Sequence, residues 1–121
     1  MSLKDTCSSM WDTVPATIPG GSSLSGGVDL GGLRLFGLVM PSQWTTAPLT
    51  FQGSIDEGVT WHNLKDSSGN EISITAAAND FVVWLPAAFS AVELITVRSG
   101  TAATPVLQSG AAAIQLVLRS I

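Results

Sequence analysis

The stretch LTFQGSIDEGVTWHNLK, residues 49–65, carries the clearest local signal of the fold. Apolar and polar side chains alternate before its turn, and this period of two is typical of a half-buried β-strand. Asp56 can accept hydrogen bonds from backbone N–H groups a few residues further on, and Gly58 supplies the positive φ that a tight reversal needs. Thr60 and Trp61 begin a return strand with side chains that suit a pleated sheet. The stretch therefore predicts a β-hairpin.

Five residues of this hairpin stand at the spacing Ser-x-Asp-x-Gly-x-Thr-Trp: Ser54, Asp56, Gly58, Thr60 and Trp61. The spacing resembles the Asp-box hairpin of sialidases and other repeat β-propellers. A propeller needs several four-stranded blades, whereas this chain has 121 residues and a single copy of the pattern, so its size excludes a sialidase propeller. Turn geometry alone explains all five residues as structural. The alternative is that Asp56 or Trp61 also contacts a ligand.

The rest of the chain predicts short strands separated by Gly, Pro, Asn and Asp turns, with no long helix. The strongest strand is LRLFGLVM, residues 33–40, which is apolar on nearly both faces and is therefore expected at the centre of a sheet. The other predicted strands cover residues 14–18, 49–55, 60–65, 71–75, 81–85, 92–99 and 113–119. This pattern predicts an all-β fold, an antiparallel β-sandwich of jelly-roll type with seven to eight strands.

The domain organisation follows from composition along the chain. Residues 1–18 are expected to form an N-terminal arm and the first strand, and residues 19–121 a single β-sandwich domain. The arm is polar and lacks periodicity, so it cannot fold alone. We expect it to act as a tether to a neighbouring subunit, with Trp11 as its buried anchor.

The chain is 45% hydrophobic but only 12% charged, against about 25% in typical globular domains. Its mean hydropathy is +0.39. Pro41 and Pro48 interrupt the longest uncharged run, so no membrane span is expected. Two interpretations of the low charge stay open: much of the surface is buried against other chains, or the domain is a compact β-protein with a surface of small and hydroxyl residues.

Charge and cysteine content exclude several classes of function. The net charge is −4, and the five Lys and Arg residues form no basic stripe, so nucleic-acid binding is not expected. Cys7 is the only cysteine, which precludes an intrachain disulfide. The N-terminus lacks the apolar core of a secretion signal, so none is expected.

Catalytic and metal-binding patterns are sparse. His62 is the single histidine, and without an accompanying nucleophile motif it is expected to be a surface or rim residue. One Cys and one His cannot supply the usual four zinc ligands. Four acidic residues around two neighbouring turns keep a calcium site as the alternative: Asp56, Glu57, Asp66 and Glu71. The prediction is no catalytic residue, no cofactor, no bound metal and no enzyme activity.

The tryptophans are the remaining candidates for recognition. Trp44 lies in the polar loop PSQWTTAP and is expected to be exposed and to contact a partner. Trp84 is expected in the core. Since β-sandwich modules stack aromatic rings on sugars, a glycan site would need two of Trp44, Trp61 and Trp84 exposed on one face.

Three segments together resemble a type of small protein encoded by tailed bacteriophages and prophages. These are the strand GLRLFGLVMP at 32–41, the hairpin LTFQGSIDEGVTW at 49–61 followed by DSSGNE, and VRSGT at 97–101; the resemblance extends from Gly31 to Arg119. It implies a virion structural protein without catalytic residues, either a capsid decoration or cement protein or an adaptor that anchors a fibre at the head or tail. The alternative is a carbohydrate-binding module that contacts host glycans from the virion surface. The implied partners are other copies of the chain and other virion proteins.

Overall fold

The computed structural model describes residues 11–84 and 89–120, which form two antiparallel four-stranded β-sheets. The eight strands are β1 Trp11–Ile18, β2 Val28–Asp29, β3 Arg34–Val39, β4 Leu49–Ser54, β5 His62–Asn63, β6 Phe81–Val83, β7 Leu94–Ser99 and β8 Ala112–Arg119. The predicted all-β sandwich is confirmed.

The strand order is that of a jelly roll. Sheet A has the order β1-β8-β3-β6 and sheet B the order β2-β7-β4-β5. The antiparallel pairs β1·β8, β2·β7, β3·β6 and β4·β5 are those of one long hairpin, and rolling this hairpin up adds the pairs β3·β8 and β4·β7. The turn between β4 and β5 is the tip of this hairpin, so the stretch at residues 54–61 connects its two innermost strands.

The core lies between the sheets and follows the alternation of each strand. In β8 the buried side chains are Ala112, Ile114, Leu116 and Leu118, while the residues between them face outward. Across the core the rings of Phe51 and Phe89 meet edge to face, with their centroids 5.1 Å apart.

Strand β3 occupies the central position that its apolar sequence predicts, between β8 and β6. A bulge between Leu35 and Gly37 shifts its register against β8. A Cβ on Gly37 would lie 2.6 Å from the carbonyl oxygen of Val82, so only glycine allows β6 to approach this closely.

Two strands are shorter than predicted, because side-chain hydrogen bonds replace backbone strand pairing in these loops. The predicted strand at 60–65 is reduced to His62–Asn63, and that at 71–75 to isolated bridges at Glu71 and Ile74. Asp66 explains part of the difference, because its carboxylate accepts the N–H groups of Ser68 and Asn70 and closes a tight turn there.

The free edges of both sheets are unsuited to pairing with another strand. Strands β2 and β5 have two residues each and β6 has three. The longer edge strand, β1, carries Pro15, which has no N–H to donate. Addition of a strand at an edge is therefore disfavoured.

Of the N-terminal arm and first strand predicted at residues 1–18, residues 1–10 lie outside the described residues. Trp11 opens β1, and its backbone pairs with Arg119 at the end of β8. Strand β1 is three residues longer than predicted and is paired along its whole length, so residues 11–18 belong to the sandwich.

Candidate functional site

The hairpin turn between β4 and β5 is closed by two side chains. The Ser54 hydroxyl accepts the N–H of Gly58 at 2.8 Å and donates to Asp56 Oδ1 at 2.8 Å. The same Asp56 oxygen accepts the N–H of Thr60 at 2.8 Å. Gly58 has a φ of 88°, so its predicted positive φ is confirmed. The side chains of Ser54 and Asp56 thus both hold the turn.

These bonds also set the charge of Asp56. The backbone N–H of Thr60, and after it the hydroxyl of Ser54, lower the pKa of Asp56 from 3.8 to about 2, because both donate to the ionised carboxylate. The side chain is exposed but its Oδ1 is taken up by its own turn. This arrangement suits a structural role.

Trp61 packs beside the turn instead of presenting its ring to solvent. A Cβ built on Gly27 would lie 3.0 Å from two carbons of the indole, and one on Gly58 would lie 3.4 Å from it. The ring therefore rests on two glycines and is half-buried. Trp61 fixes the tip of the hairpin against the segment before β2.

The turn displays two apolar side chains to solvent. Ile55 is 93% exposed and Val59 is 84% exposed. Ile55 separates two grooves: one of about 280 Å³ is lined by the carboxylates of Asp29, Glu57 and Glu93, and one of about 230 Å³ is largely apolar. The tip therefore combines exposed aliphatic groups with an acidic flank, which is a surface suited to contact with another protein.

His62 and the other candidate metal ligands do not converge on a centre. His62 is exposed at the rim of the apolar groove, as predicted. Within residues 11–84 and 89–120, no group of three or more His, Cys, Asp or Glu side chains is placed to hold a metal ion. In the same part of the chain no helix is long and apolar enough to cross a membrane.

Arg98 forms a buried polar cluster that the sequence does not reveal. Its guanidinium donates to Glu71 at 3.2 Å and to the side-chain oxygen of Asn63 at 2.8 Å. Glu71 in turn accepts the N–H of Ala102 at 3.1 Å. The cluster ties the loop after the hairpin to the outer face of sheet B.

Trp44 is half-buried and packs against the core, whereas its polar loop predicts exposure. The cause is Gln108, which lies fully buried and bonds both the N–H and the carbonyl of Thr45, at 2.8 and 2.9 Å. This pair of bonds draws the loop onto the sandwich. Trp44 Nε1 is buried and has no hydrogen-bond partner among the described residues.

Trp84 packs against the core, as predicted, and its Nε1 donates to the carbonyl of Leu35 at 3.1 Å. Trp44, Trp61 and Trp84 are therefore all half-buried. The pair of exposed tryptophans on one face that a glycan site needs is not found among these three.

A second exposed apolar group lies on the edge strand β6. Phe81 is 62% exposed and Val83 is 70% exposed, while Val82 between them packs on the core. The sequence predicts this segment as an apolar strand but not which side chains face outward, because three consecutive apolar residues have no period of two.

No protein-family model, curated protein or solved structure matches the chain. Function is therefore inferred from the fold, the two exposed apolar groups and the resemblance carried by the motifs.

Proposed function

We propose that this chain is a non-enzymatic structural protein of a bacteriophage virion. It serves as a capsid decoration or cement protein, or as an adaptor that anchors a fibre at the head or tail, and it is made in the cytoplasm of the bacterial host. The observation that carries the proposal is the exposure of four large apolar side chains on a domain with few charges: Ile55, Val59, Phe81 and Val83. Exposed apolar groups of this size favour protein–protein contact.

The hairpin tip is the proposed contact with another virion protein. Its turn is held by the bonds of Ser54 and Asp56, so Ile55 and Val59 are presented on a rigid support. A contact made by a preorganised loop loses little conformational entropy on binding. Aliphatic side chains that enter a partner's pocket from such a tip supply binding energy, while the acidic flank favours a basic rim on the partner.

Particles that lack the protein provide the test of this contact. The double substitution Ile55→Ser and Val59→Ser should lower the occupancy of reconstituted particles without unfolding the sandwich, since both side chains are exposed. Leu107→Ser is the matched control, because Leu107 is also an exposed aliphatic residue, at 64%, but lies outside the hairpin. Equal occupancy for the wild-type chain and the double variant would contradict the proposed contact.

The N-terminal segment is proposed as a tether to a neighbouring subunit. It precedes Trp11 at the start of the edge strand β1, from which it can reach an adjacent molecule. Deletion of residues 2–10 should leave the sandwich folded and reduce particle occupancy, which quantitative gel analysis of purified particles measures. Deletion of residues 2–18 also removes β1, the edge strand that pairs with β8, and should therefore destabilise the fold as well. Undiminished occupancy of the shorter deletion would refute the tether.

A carbohydrate-binding module that contacts host glycans is the alternative function. The half-burial of Trp44, Trp61 and Trp84 favours the structural role over this alternative. A glycan array with the isolated protein tests it, and specific binding that Trp44→Ala abolishes would support the alternative.

A further inference from the structure

The outer faces of the two sheets differ in what covers them. On sheet B the outward side chains of Thr50, Thr96 and Arg98 are only 0%, 3% and 7% exposed. The loop that follows the hairpin lies over this face and is bonded to it through Glu71, while Asn63 of strand β5 accepts a bond from Arg98 within the sheet. Sheet B therefore supplies its own cover, whereas no described segment is bonded in this way over the outer face of sheet A.

The strand register arranges the outer face of sheet A in rows that cross the strands. One row runs Thr13, Val117, Gly37, Val83, and the next runs Pro15, Gln115, Val39, Phe81. Beyond the first row stand Arg34 and Arg119, and beyond the second stand Thr17 and Ala113. The described outward side chains include no carboxylate. Among the described residues of this face, the two central rows are uncharged and the charged side chains lie together at one end.

The dimensions of this face indicate what kind of association it can support. With strands about 4.8 Å apart and a rise of about 3.4 Å per residue, the outer face of sheet A measures roughly 400 Å² in projection. The side chains standing on it add to the accessible area, and two such faces together approach the lower end of the range for specific interfaces, about 1,000 to 1,200 Å². This area suits a weak dimer.

The charges at one end of this face select one arrangement for two copies. If the strands of both copies ran in the same direction, Arg34 and Arg119 would face their own counterparts. A two-fold axis that lies in the interface at right angles to the strands instead places the arginines of the two copies at opposite ends of the interface. The row of one copy that contains Gly37 then lies on the row of the other copy that contains Val39. Val39 then projects towards Gly37 of the second copy, which has no side chain, and Phe81 lies against Val83.

We infer that the outer face of sheet A is a self-association surface, on which a second copy of this chain packs by two-fold symmetry with Phe81 of each copy against Val83 of the other. This deepens, and rests on, the proposal that the protein works as an assembly. The short strands and the proline at the sheet edges disfavour pairing of edges and favour pairing of faces.

Sedimentation velocity on the full-length chain under reducing conditions tests the interface. The wild-type protein should show a reversible dimer with a dissociation constant on the order of 10 to 100 µM. Phe81→Glu and Val83→Lys should each weaken association by about tenfold or more, because each places two desolvated charges in the interface. Leu107→Glu is the matched control: Leu107 is 64% exposed, close to Val83 at 70%, and lies outside the strands of both sheets, so this variant should dimerise like the wild type.

A mixture of the two interface variants tests the arrangement itself. In a mixed dimer, one of the two symmetric contacts joins the new carboxylate of Phe81→Glu to the new ammonium of Val83→Lys. The other contact joins the native Val83 of the first variant to the native Phe81 of the second. Mixing the two variants should therefore restore association. Failure of the mixture to associate would overturn the two-fold arrangement. A monomeric wild-type chain at about 1 mM, or full dimerisation of both single variants, would overturn the interface. Particle occupancy is measured separately, so these results leave the proposed virion role to its own test.

Discussion

Breaking the ion pair between Arg98 and Glu71 should destabilise the fold more than the removal of any exposed charge. The side chain of Arg98 is 9% exposed and that of Glu71 is 21% exposed. Arg98 also donates to Asn63 on strand β5, so a single side chain bonds strand β7 both to the covering loop and to the edge strand of its own sheet. Its loss releases the loop as well as the charge pair.

The magnitude follows from geometry and burial. At 3.2 Å and an effective dielectric constant of about 20, the attraction is about 5 kcal/mol before desolvation is subtracted. Withdrawal of both groups from water offsets several kcal/mol of this, so the pair should contribute a coupling of about 2 kcal/mol. Glu71→Gln should cost about 2 kcal/mol, and Arg98→Met about 3 kcal/mol because the bond to Asn63 is lost too.

Urea unfolding of the wild type, both single variants and the double variant measures this coupling as a double-mutant cycle. Lys65→Met is the control, since Lys65 is exposed and forms no ion pair within the described residues; it should change stability by less than about 0.5 kcal/mol. A coupling energy below about 0.5 kcal/mol between the Arg98 and Glu71 substitutions would refute the assigned role of the cluster.

Two further predictions concern the hairpin. Because the pKa of Asp56 is lowered from 3.8 to about 2 on folding, its carboxylate stabilises the folded state above about pH 4, and this contribution disappears as the pH falls towards 2. Asp56→Asn should therefore be less stable than the wild type at neutral pH, and in thermal unfolding this difference in stability should disappear between about pH 4 and pH 2. A difference in stability that does not change with pH would contradict the prediction. Glu57→Gln serves as the control. Gly27→Ala places a Cβ about 3.0 Å from the Trp61 ring, so it should lower stability by about 1 to 2 kcal/mol and change tryptophan fluorescence. In Gly26→Ala the added Cβ meets nothing within 4 Å, so stability and fluorescence should not change. Equal stability of the two variants would exclude the contact.

Local chemistry made much of this fold predictable. The hairpin at residues 54–61 depends on bonds between residues two to four positions apart, so Ser54, Asp56 and Gly58 specify it without help from the rest of the chain. The same holds for the turn at Asp66. Alternation in β4 and β8 and the apolar run of β3 identified the long strands for the same reason, since the period of a side-chain pattern is a local property.

The exposed and covered surfaces were decided by contacts between distant parts of the chain. Arg98 is buried because Glu71, 27 residues earlier, lies over it, and Trp44 is drawn inward by bonds between Thr45 and Gln108, 63 residues later. The outward direction of Phe81 and Val83 follows from the register of β6 on β3, which a run of apolar residues does not encode. The amino-acid sequence by itself determined the tight turns, the long strands and the low charge. The tertiary structure alone decided which apolar side chains stay uncovered, because burial depends on what packs across from a residue and not on its neighbours in the chain.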